Sequence, residues 1–303
     1  MPDESNEGRW LHAAANLRTD RKGGQHSPHK PLMLMVVTDL FESGLARDGR
    51  LNLTGELAFR FNVYFSVPAW RRTARAEVRL PFFHLHSDGF WTPLDADGKQ
   101  ARDRKSTQTV EIAPDFLACL NYAEFRTKLR RVLINTYFGD AEERAALYSL
   151  VGLPMLEETG AAPQIEQYAE SVRVGRQARF RLNVVSAYNF TCALTGYRCV
   201  TVSSGSIVDA AHIHQFSESG NNDPTNGMAL SKNAHWLFDQ GLWSISDEYS
   251  VIVATDRFHE TGDETTLLRS MAGRKIYLPK NSKLWPSRVH LEWHRNNRFR
   301  EAF

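Results

Sequence analysis

Two histidines and one asparagine, His212, Asn226 and His235, are the side chains of this 303-residue sequence best suited to chemistry. Asn226 follows His212 by 14 residues, His235 follows Asn226 by 9, and Asp239 lies four residues after His235. A neutral histidine can accept a proton from water near pH 7, and a His–Asp pair on one helix face can bind a divalent cation. A base and a bound cation are what the hydrolysis of a phosphodiester requires.

The segment from Val208 to Ile245 predicts the elements that must bring these side chains together. A short apolar run, interpreted as a strand, ends at His212, and a polar loop rich in glycine and asparagine closes on Asn226. An amphipathic segment that begins near Ser231 predicts a helix carrying His235. The histidine, the asparagine and the second histidine would therefore lie at three corners of one small unit.

This pattern resembles the HNH endonucleases, whose catalytic unit is the ββα-metal fold. The segments A-A-H-I, D-P-x-N-G-x-x-L and H-x-L-F-D-x-G-L carry the resemblance, which extends over about residues 185–300 to a similar tail, L-E-W-H-R-x-x-x-F. The resemblance implies that His212 is the general base and that Asn226 orients its imidazole or approaches the metal. It implies that His235 is a metal ligand, and that the cofactor is a divalent ion such as Mg2+, Mn2+, Ni2+ or Co2+.

The sequence departs from this family directly before the base. Many members have aspartate or histidine there as the first metal ligand, whereas this chain has Ala211. Asp209 is the nearest preceding carboxylate, and we expect it to replace that ligand. We expect Asp239 to bind the metal or to hold His235 from behind. No structural zinc is expected, because Cys192 and Cys199 cannot supply four thiolates.

The N-terminal half contains two short segments rich in histidine, proline and basic residues. They run from Gln25 to Lys30 and from Arg79 to His86, and helices are predicted nearby at about 6–20, 31–43 and 54–65. We interpret both segments as loops that could lie side by side at one end of a domain. A single histidine in either segment could equally be a filling or capping residue.

The motif H-K-P-L-x-L, followed about fifty residues later by P-F-x-x-L-x-x-D-G-x-W, resembles the sulfur-binding domain of phosphorothioate-dependent type IV restriction endonucleases. The resemblance covers about residues 10–150. It implies an apolar hole for the sulfur that replaces a non-bridging phosphate oxygen, with basic residues on the neighbouring phosphates. Leu80 stands where that family usually has tyrosine, and His84 where it has a small residue. The DNA-binding residues that it implies, with their neighbours, are His29, Lys30, Arg79, Leu80, Pro81, Phe82 and His84.

The length and composition fit an α+β chain of two domains. We predict a mixed α/β DNA-reader domain over 1–151, a Gly- and Pro-containing linker over 152–167, and an HNH nuclease domain over 168–303. The net charge is only +2, but arginines cluster, as at Arg71, Arg72 and Arg75. On a predicted helix over about 168–188, Arg176 and Arg179 could contact phosphates or simply face solvent.

The remaining expectations concern partners and location. The sequence has no window of about 18 apolar residues and no signal-peptide pattern, and its three cysteines suit a reduced, cytoplasmic setting. The expected partner is modified double-stranded DNA. One ββα site cuts one strand, so cutting both strands would require a homodimer or two binding events.

Two alternatives stay open at this point. The reader could recognise a modified cytosine through an aromatic cage, for which Phe82, Phe83, Phe90 and Trp91 offer rings. The chain could also be a non-catalytic DNA-binding protein that keeps a degenerate HNH scaffold, a reading that Ala211 favours.

Overall fold

A computed structural model describes residues 4–22, 24–69, 76–155 and 165–299. The predicted arginine cluster of Arg71, Arg72 and Arg75 lies outside the described residues, as does most of the predicted linker. The chain divides into two compact units, 1–179 with 201–205, and 180–200 with 206–303. This division lies within a helix rather than in the predicted segment 152–167, and the functional domain limits stay a prediction.

Unit 1 is mainly helical. Its helices are α1 (Glu4–Ala15), α2 (His29–Glu42), α3 (Gly55–Ala69), α4 (Arg79–His84), α5 (Pro114–Leu120), α6 (Ala123–Tyr137), α7 (Ala141–Val151) and the first part of α8 (Ile165–Ala187). Its strands are β1 (Arg21–Lys22), β2 (Gln25–His26), β3 (Arg50–Asn52), β4 (Trp91–Leu94) and β5 (Thr109–Ile112). The last three form an antiparallel sheet in the order β3-β5-β4.

Helix α2 is the centre of unit 1. Its apolar run has no solvent-exposed side chain from Leu32 to Val37, and it packs against α3, α4 and α6. Gly44 adopts a φ of +70° just after the helix, a conformation that suits glycine at a helix end. The helices predicted near 31–43 and 54–65 are present with shifted ends.

The segment Arg79–His86, predicted as a loop, is helical instead. It forms α4 and a 3-10 turn, Leu85–Asp88, which ends at Gly89 with a φ of +83°. The proline that argued against a strand, Pro81, lies in the first turn of α4, where a missing N–H costs no helical hydrogen bond. The proline was therefore a helix-start signal rather than a loop signal.

Unit 2 contains a strand–strand–helix arrangement. Strands β8 (Val208–His212) and β9 (Gly227–Ser231) are antiparallel, with His212 opposite Gly227, and α10 (Lys232–Asp239) follows β9 directly. Two short strands, β6 (Val200–Thr201) and β7 (Gly205–Ser206), include the ends of the stretch 201–205. The other elements are α9 (Phe216–Ser219), a 3-10 turn (Pro224–Asn226), β10 (Trp243–Ile245), β11 (Val251–Val253), α11 (Arg288–His294) and a π-helical turn (Arg295–Phe299).

Both units mix helices with small antiparallel sheets, so the predicted α+β class is confirmed. No helix in the described ranges has both the length and the apolar composition needed to cross a membrane.

Candidate functional site

The ββα part of unit 2 brings His212, His235 and Asp239 into one region. His212 ends β8, while His235 and Asp239 are on one face of α10 with His235 Nε2 3.4 Å from Asp239 Oδ2. His235 is close enough to contribute to lowering the pKa of His212. Burial raises the pKa of Asp239, and the nearby His235 and Arg298 oppose that shift. These three predicted side chains therefore share one electrostatic environment.

The imidazole of His212 is held on several sides. It stacks on Phe180 with ring centroids 3.9 Å apart and planes 8° apart, and Phe216 lies 5.7 Å away. His212 Nε2 donates to the side-chain carbonyl Oδ1 of Asn222 at 2.9 Å. Burial lowers the pKa of His212, with a smaller opposing effect from that hydrogen bond. A neutral ring with Nε2 as donor carries its lone pair on Nδ1, so Nδ1 is the atom able to accept a proton.

The side-chain hydrogen bonds of Asn226 go to backbone groups of its loop rather than to the imidazole, and the alternative prediction that it approaches the metal stays a prediction. Its Oδ1 accepts from the backbone N of His214 at 2.8 Å, and its Nδ2 donates to the carbonyls of His214 at 2.9 Å and Asn221 at 3.0 Å. The residue is fully buried, as a polar group with satisfied partners can be. Asn226 fixes the loop after β8, whereas Asn222 binds His212.

Asp209 is not placed with the other predicted metal ligands. It lies three residues before His212 in β8, and side chains at odd spacing leave opposite faces of a strand. Its Oδ1 accepts from Arg181 Nε at 2.6 Å and from the backbone N of Ala210 at 2.8 Å. Strand alternation thus directs Asp209 to an arginine, and its role as a replacement metal ligand stays a prediction that this pairing does not favour.

His235 and Asp239 are the donors of this region that remain for a divalent cation. Among the described residues, no three histidine, cysteine, aspartate or glutamate side chains are arranged to hold a metal ion together. His235 and Asp239 supply one nitrogen and one carboxylate, both partly exposed. A nitrogen and a carboxylate oxygen suit a borderline divalent ion such as Mn2+, Co2+ or Ni2+, which would take its other ligands from water and substrate phosphate.

The C-terminal segment packs against α10. The ring of His294 stacks on Phe238 with centroids 3.7 Å apart, its Nε2 donates to the Phe238 carbonyl at 3.1 Å, and its Nδ1 lies 2.9 Å from Ser244 Oγ. Gly241, the glycine of the H-x-L-F-D-x-G-L motif, has a φ of +66°, and a Cβ there would lie 2.2 Å from the Arg298 carbonyl oxygen. The motif glycine therefore lets the tail pass close to the end of α10.

Unit 1 contains a cavity of about 430 Å³ at the start of α2 and α4. Six of its lining residues come from the two predicted segments, three from each, although about fifty positions separate the segments in sequence. The lining residues are Arg18, Thr19, Asp20, Ser27, His29, Lys30, Leu80, Pro81, His84 and Ser87. The predicted proximity of the two segments is thus present, built from two helix starts rather than from two loops.

The charges around this cavity are largely balanced. Lys30 Nζ lies 2.6 Å from Asp88 Oδ2, with side chains only 11% and 4% exposed, so the lysine is already paired. The other oxygen of Asp88 accepts from the backbone N of Arg18 at 2.9 Å. The pKa of His84 is lowered by partial burial and by the nearby Lys30 cation, which keeps its imidazole neutral at pH 7. Lys30 was expected to hold phosphate, and the structure gives it a carboxylate instead.

Phe82 and Arg79, which were also predicted to bind DNA, have other partners in unit 1. Phe82 is completely buried, with its ring 6.1 Å from that of Trp91. Arg79 does not line the cavity, and its Nη1 lies 3.4 Å from the carbonyl of Arg104 and 3.5 Å from that of Thr107. Phe82 is thus a core ring and Arg79 lies against loop carbonyls, so the DNA contacts predicted for them stay predictions that these positions do not favour.

The two arginines predicted on α8 differ in their surroundings. Arg179 is half-buried, and its Nη1 donates to the Leu150 carbonyl at 3.1 Å. Arg176 is exposed. Of the two, Arg176 has the more accessible position for a phosphate, and the predicted phosphate contact of Arg179 stays a prediction.

Residues 192–246 match the model of the HNH endonuclease family. That stretch contains β8, β9 and α10, with all of His212, Asn226, His235 and Asp239. The match assigns this part of the chain to an HNH endonuclease domain. No curated protein matches the chain.

Two solved structures are similar to parts of the chain. The modification dependent TagI restriction endonuclease is 20% identical over 39% of this chain and 37% of its own, with a TM-score of 0.29. The sulfur binding domain of SprMcrA complexed with phosphorothioated DNA is 18% identical over 48% of this chain and 94% of its own, with a TM-score of 0.41. The chain thus aligns with little more than a third of the TagI enzyme.

Three residues of the HNH unit escaped the sequence analysis. Asn222 is one of several polar residues in its loop, and Phe180 reads as an ordinary apolar residue of α8. Arg298, whose Nη2 donates to Gln215 and to Glu218 at 3.3 Å, lies at an unspecified position within the tail motif. Only the tail resemblance offered a signal, because it indicated that the end of the chain returns to the unit.

Proposed function

We propose that this protein is a modification-dependent restriction endonuclease that recognises phosphorothioate-modified DNA and cuts it at the HNH unit. The observation that supports cutting best is the neutral imidazole of His212, held with its Nδ1 lone pair available beside His235 and Asp239. The observation that supports recognition of modified DNA is that residues of both motif segments line one cavity.

In the proposed reaction, His212 Nδ1 takes a proton from water, and the resulting hydroxide attacks phosphorus while the P–O bond to the leaving oxygen breaks. His235 and Asp239 are the residues that would hold a divalent cation. When bound, such an ion offsets negative charge on the phosphate and the leaving oxygen. Phe180 and Asn222 keep the imidazole in place, and burial keeps it unprotonated near pH 7.

The cavity suits a soft, weakly hydrated sulfur better than an ordinary phosphate oxygen. Leu80 and Pro81 supply apolar wall, His84 is neutral, and Lys30 is paired with Asp88. An unmodified phosphate oxygen placed against this apolar wall would lose water without gaining a hydrogen bond there, which is unfavourable. Arg18, exposed at the cavity, is the cation best placed to meet the diester.

The aromatic cage needed for a modified cytosine has less support. Phe82 and Phe90 have no exposed surface and Trp91 is 3% exposed, so these rings belong to the core. Recognition of a modified cytosine would be indicated if the protein bound the modified-cytosine duplex most tightly in the binding test below.

The nuclease proposal is tested on supercoiled plasmid with Mg2+, Mn2+, Ni2+ or Co2+, and with a chelator. We expect nicking in at least one metal and none with the chelator, and we expect the variant His212→Ala to lose it. Absence of cutting in every metal, on modified and unmodified DNA, would support a non-catalytic scaffold. Open circles are expected before linear DNA, because one site cuts one strand. A direct step to linear DNA would indicate a homodimer.

The reading proposal is tested by binding to one duplex with a single phosphorothioate, with a modified cytosine, or with neither. We expect tighter binding to the phosphorothioate duplex, and loss of that preference in Leu80→Asn, which adds an amide to the cavity wall. The matched control is Leu45→Asn, since Leu45 is 64% exposed and does not line the cavity. Equal affinity of the native protein for all three duplexes contradicts the proposal.

A further inference from the structure

We infer that Asn222, rather than the family asparagine Asn226, is the residue that positions the imidazole of His212 for proton transfer. This inference rests on the proposed nuclease function, because it assigns a role in that reaction.

The first support is the direct hydrogen bond. Asn222 Oδ1 lies 2.9 Å from His212 Nε2, and a carbonyl oxygen can only accept. The bond therefore requires a proton on Nε2, which leaves the lone pair on Nδ1. No described residue makes a hydrogen bond to that second nitrogen, so Nδ1 is available to a water molecule.

The second support is that the aromatic contacts fix the plane of the imidazole but not which way round the ring lies in that plane. Phe180 stacks on His212 with planes 8° apart, which fixes the plane of the imidazole. A half-turn of the ring about its Cβ–Cγ bond keeps that plane but exchanges the sides on which the two nitrogens lie. Stacking cannot distinguish these two orientations, whereas a hydrogen bond from Asn222 to one nitrogen can. Phe180 and Asn222 thus have complementary effects.

The third support is the rigidity of the turn that carries Asn222. On one side, the Asn221 carbonyl accepts from Asn226 Nδ2 at 3.0 Å, and Asn221 Oδ1 accepts from the backbone N of Asp223 at 2.8 Å. On the other side, Asp223 Oδ1 accepts from the backbone N of Thr225 at 2.8 Å. Asn226 therefore affects His212 indirectly, by holding the turn from which Asn222 reaches the ring.

The test uses the full-length protein and the single-turnover cleavage rate at saturating DNA, measured from pH 5 to 9. Asn222→Ala removes the acceptor, so we expect the rate to fall about 10- to 100-fold with DNA affinity unchanged. Asn222→Asp keeps an acceptor and adds a negative charge, which favours the protonated imidazole. We expect it to restore much of the rate and to move the acidic limb of the profile to higher pH.

The control for loss of an asparagine is Asn296→Ala, which changes an exposed residue of the same unit. Native rates and an unmoved acidic limb in both Asn222 variants, with His212→Ala inactive, overturn this inference and leave the nuclease proposal standing. A His212→Ala variant as active as the native protein overturns the nuclease proposal itself. If Asn222→Ala unfolds, the acidic limb of Asn222→Asp decides alone.

Discussion

At the scale of single residues, Asn226 shows how one buried amide can organise a loop. Its side chain makes hydrogen bonds to three backbone groups, two in His214 and one in Asn221, and the residue has no solvent-exposed surface. If a buried backbone group loses its hydrogen-bond partner, it has given up its water without any compensating bond, and the folded state becomes less stable. The residue is therefore expected to matter for stability at least as much as for chemistry.

We predict that Asn226→Ala lowers the free energy of unfolding by about 3 kcal/mol, because buried N–H and C=O groups lose their partners. Asn226→Asp should cost more, since a carboxylate would face the carbonyl oxygens of His214 and Asn221. Urea unfolding measures both, with Asn296→Ala as the control. A loss of activity with native stability in Asn226→Ala would show that the side chain acts on the reaction directly.

At the scale of elements, the close approach of α8 to β9 depends on Gly227. A Cβ at that position would lie 2.6 Å from Phe180 Cζ and 2.6 Å from Val184 Cγ2. Gly227 also pairs with His212 across the two strands. The missing side chain therefore allows Phe180 to reach the imidazole on which it stacks.

We predict that Gly227→Ala lowers the cleavage rate about 10- to 100-fold, because displacing Phe180 misplaces the imidazole of His212. The cost of overpacking should be about 1–3 kcal/mol in unfolding free energy. Single-turnover rates and urea unfolding measure the two effects. Gly139→Ala is the control, since a Cβ there has nothing within 4 Å. A native rate in Gly227→Ala would contradict the role given to the stack.

His294, at the end of the C-terminal helix α11, should make the stability of the protein depend on pH. Burial lowers the pKa of His294 to about 4, from about 6.5 in the unfolded chain. The folded state therefore resists protonation, and the contribution of His294 is complete above pH 6.5 and lost as the pH falls towards 4. We predict a loss of about 3 kcal/mol across this window from this group. Unfolding of native protein and His294→Leu from pH 7 to 4 measures it, and the pH slope should be shallower in the variant.

The strand and helix of the HNH unit could be predicted from the sequence, because local residue patterns determine them. The side-chain contacts between these elements could not be predicted, because they depend on the folded structure. A strand ending at His212 and a helix carrying His235 follow from local pattern. Asn222 could not be separated from its polar neighbours, because only the folded loop shows which amide reaches the ring. Asp209 was chosen by distance along the sequence, which ignores the alternation of side chains in β8. In unit 1, Pro81 was compatible with both a loop and a helix start, and packing determined which formed.

At the scale of the whole molecule, the arginines contribute less free positive charge than their number indicates. Arg173 bonds Glu170 through both Nε and Nη2, and Arg181 is paired with Asp209. Arg179 is occupied by a backbone carbonyl. These three arginines are therefore less available to neutralise phosphates than their charges alone indicate.

We predict a moderate salt dependence of DNA binding. Each neutralised phosphate contributes roughly −0.9 to the slope of log affinity against log salt concentration, and we expect a slope no steeper than about −4. Binding to the phosphorothioate duplex between 50 and about 300 mM salt measures it. Arg176→Ala should make the slope less steep by about one phosphate. A slope near −8 would show that the paired arginines open to meet DNA.

The buried pair of Lys30 and Asp88 also bears on how such an enzyme would search a genome. A free lysine in the cavity would hold every phosphate it met, and the protein would spend most of its time on ordinary sequence. With that charge already neutralised, dwell time on unmodified DNA would be short, and the cavity would sample many linkages before one retained it. Selectivity under the proposed function would then arise from rapid rejection rather than from strong attraction.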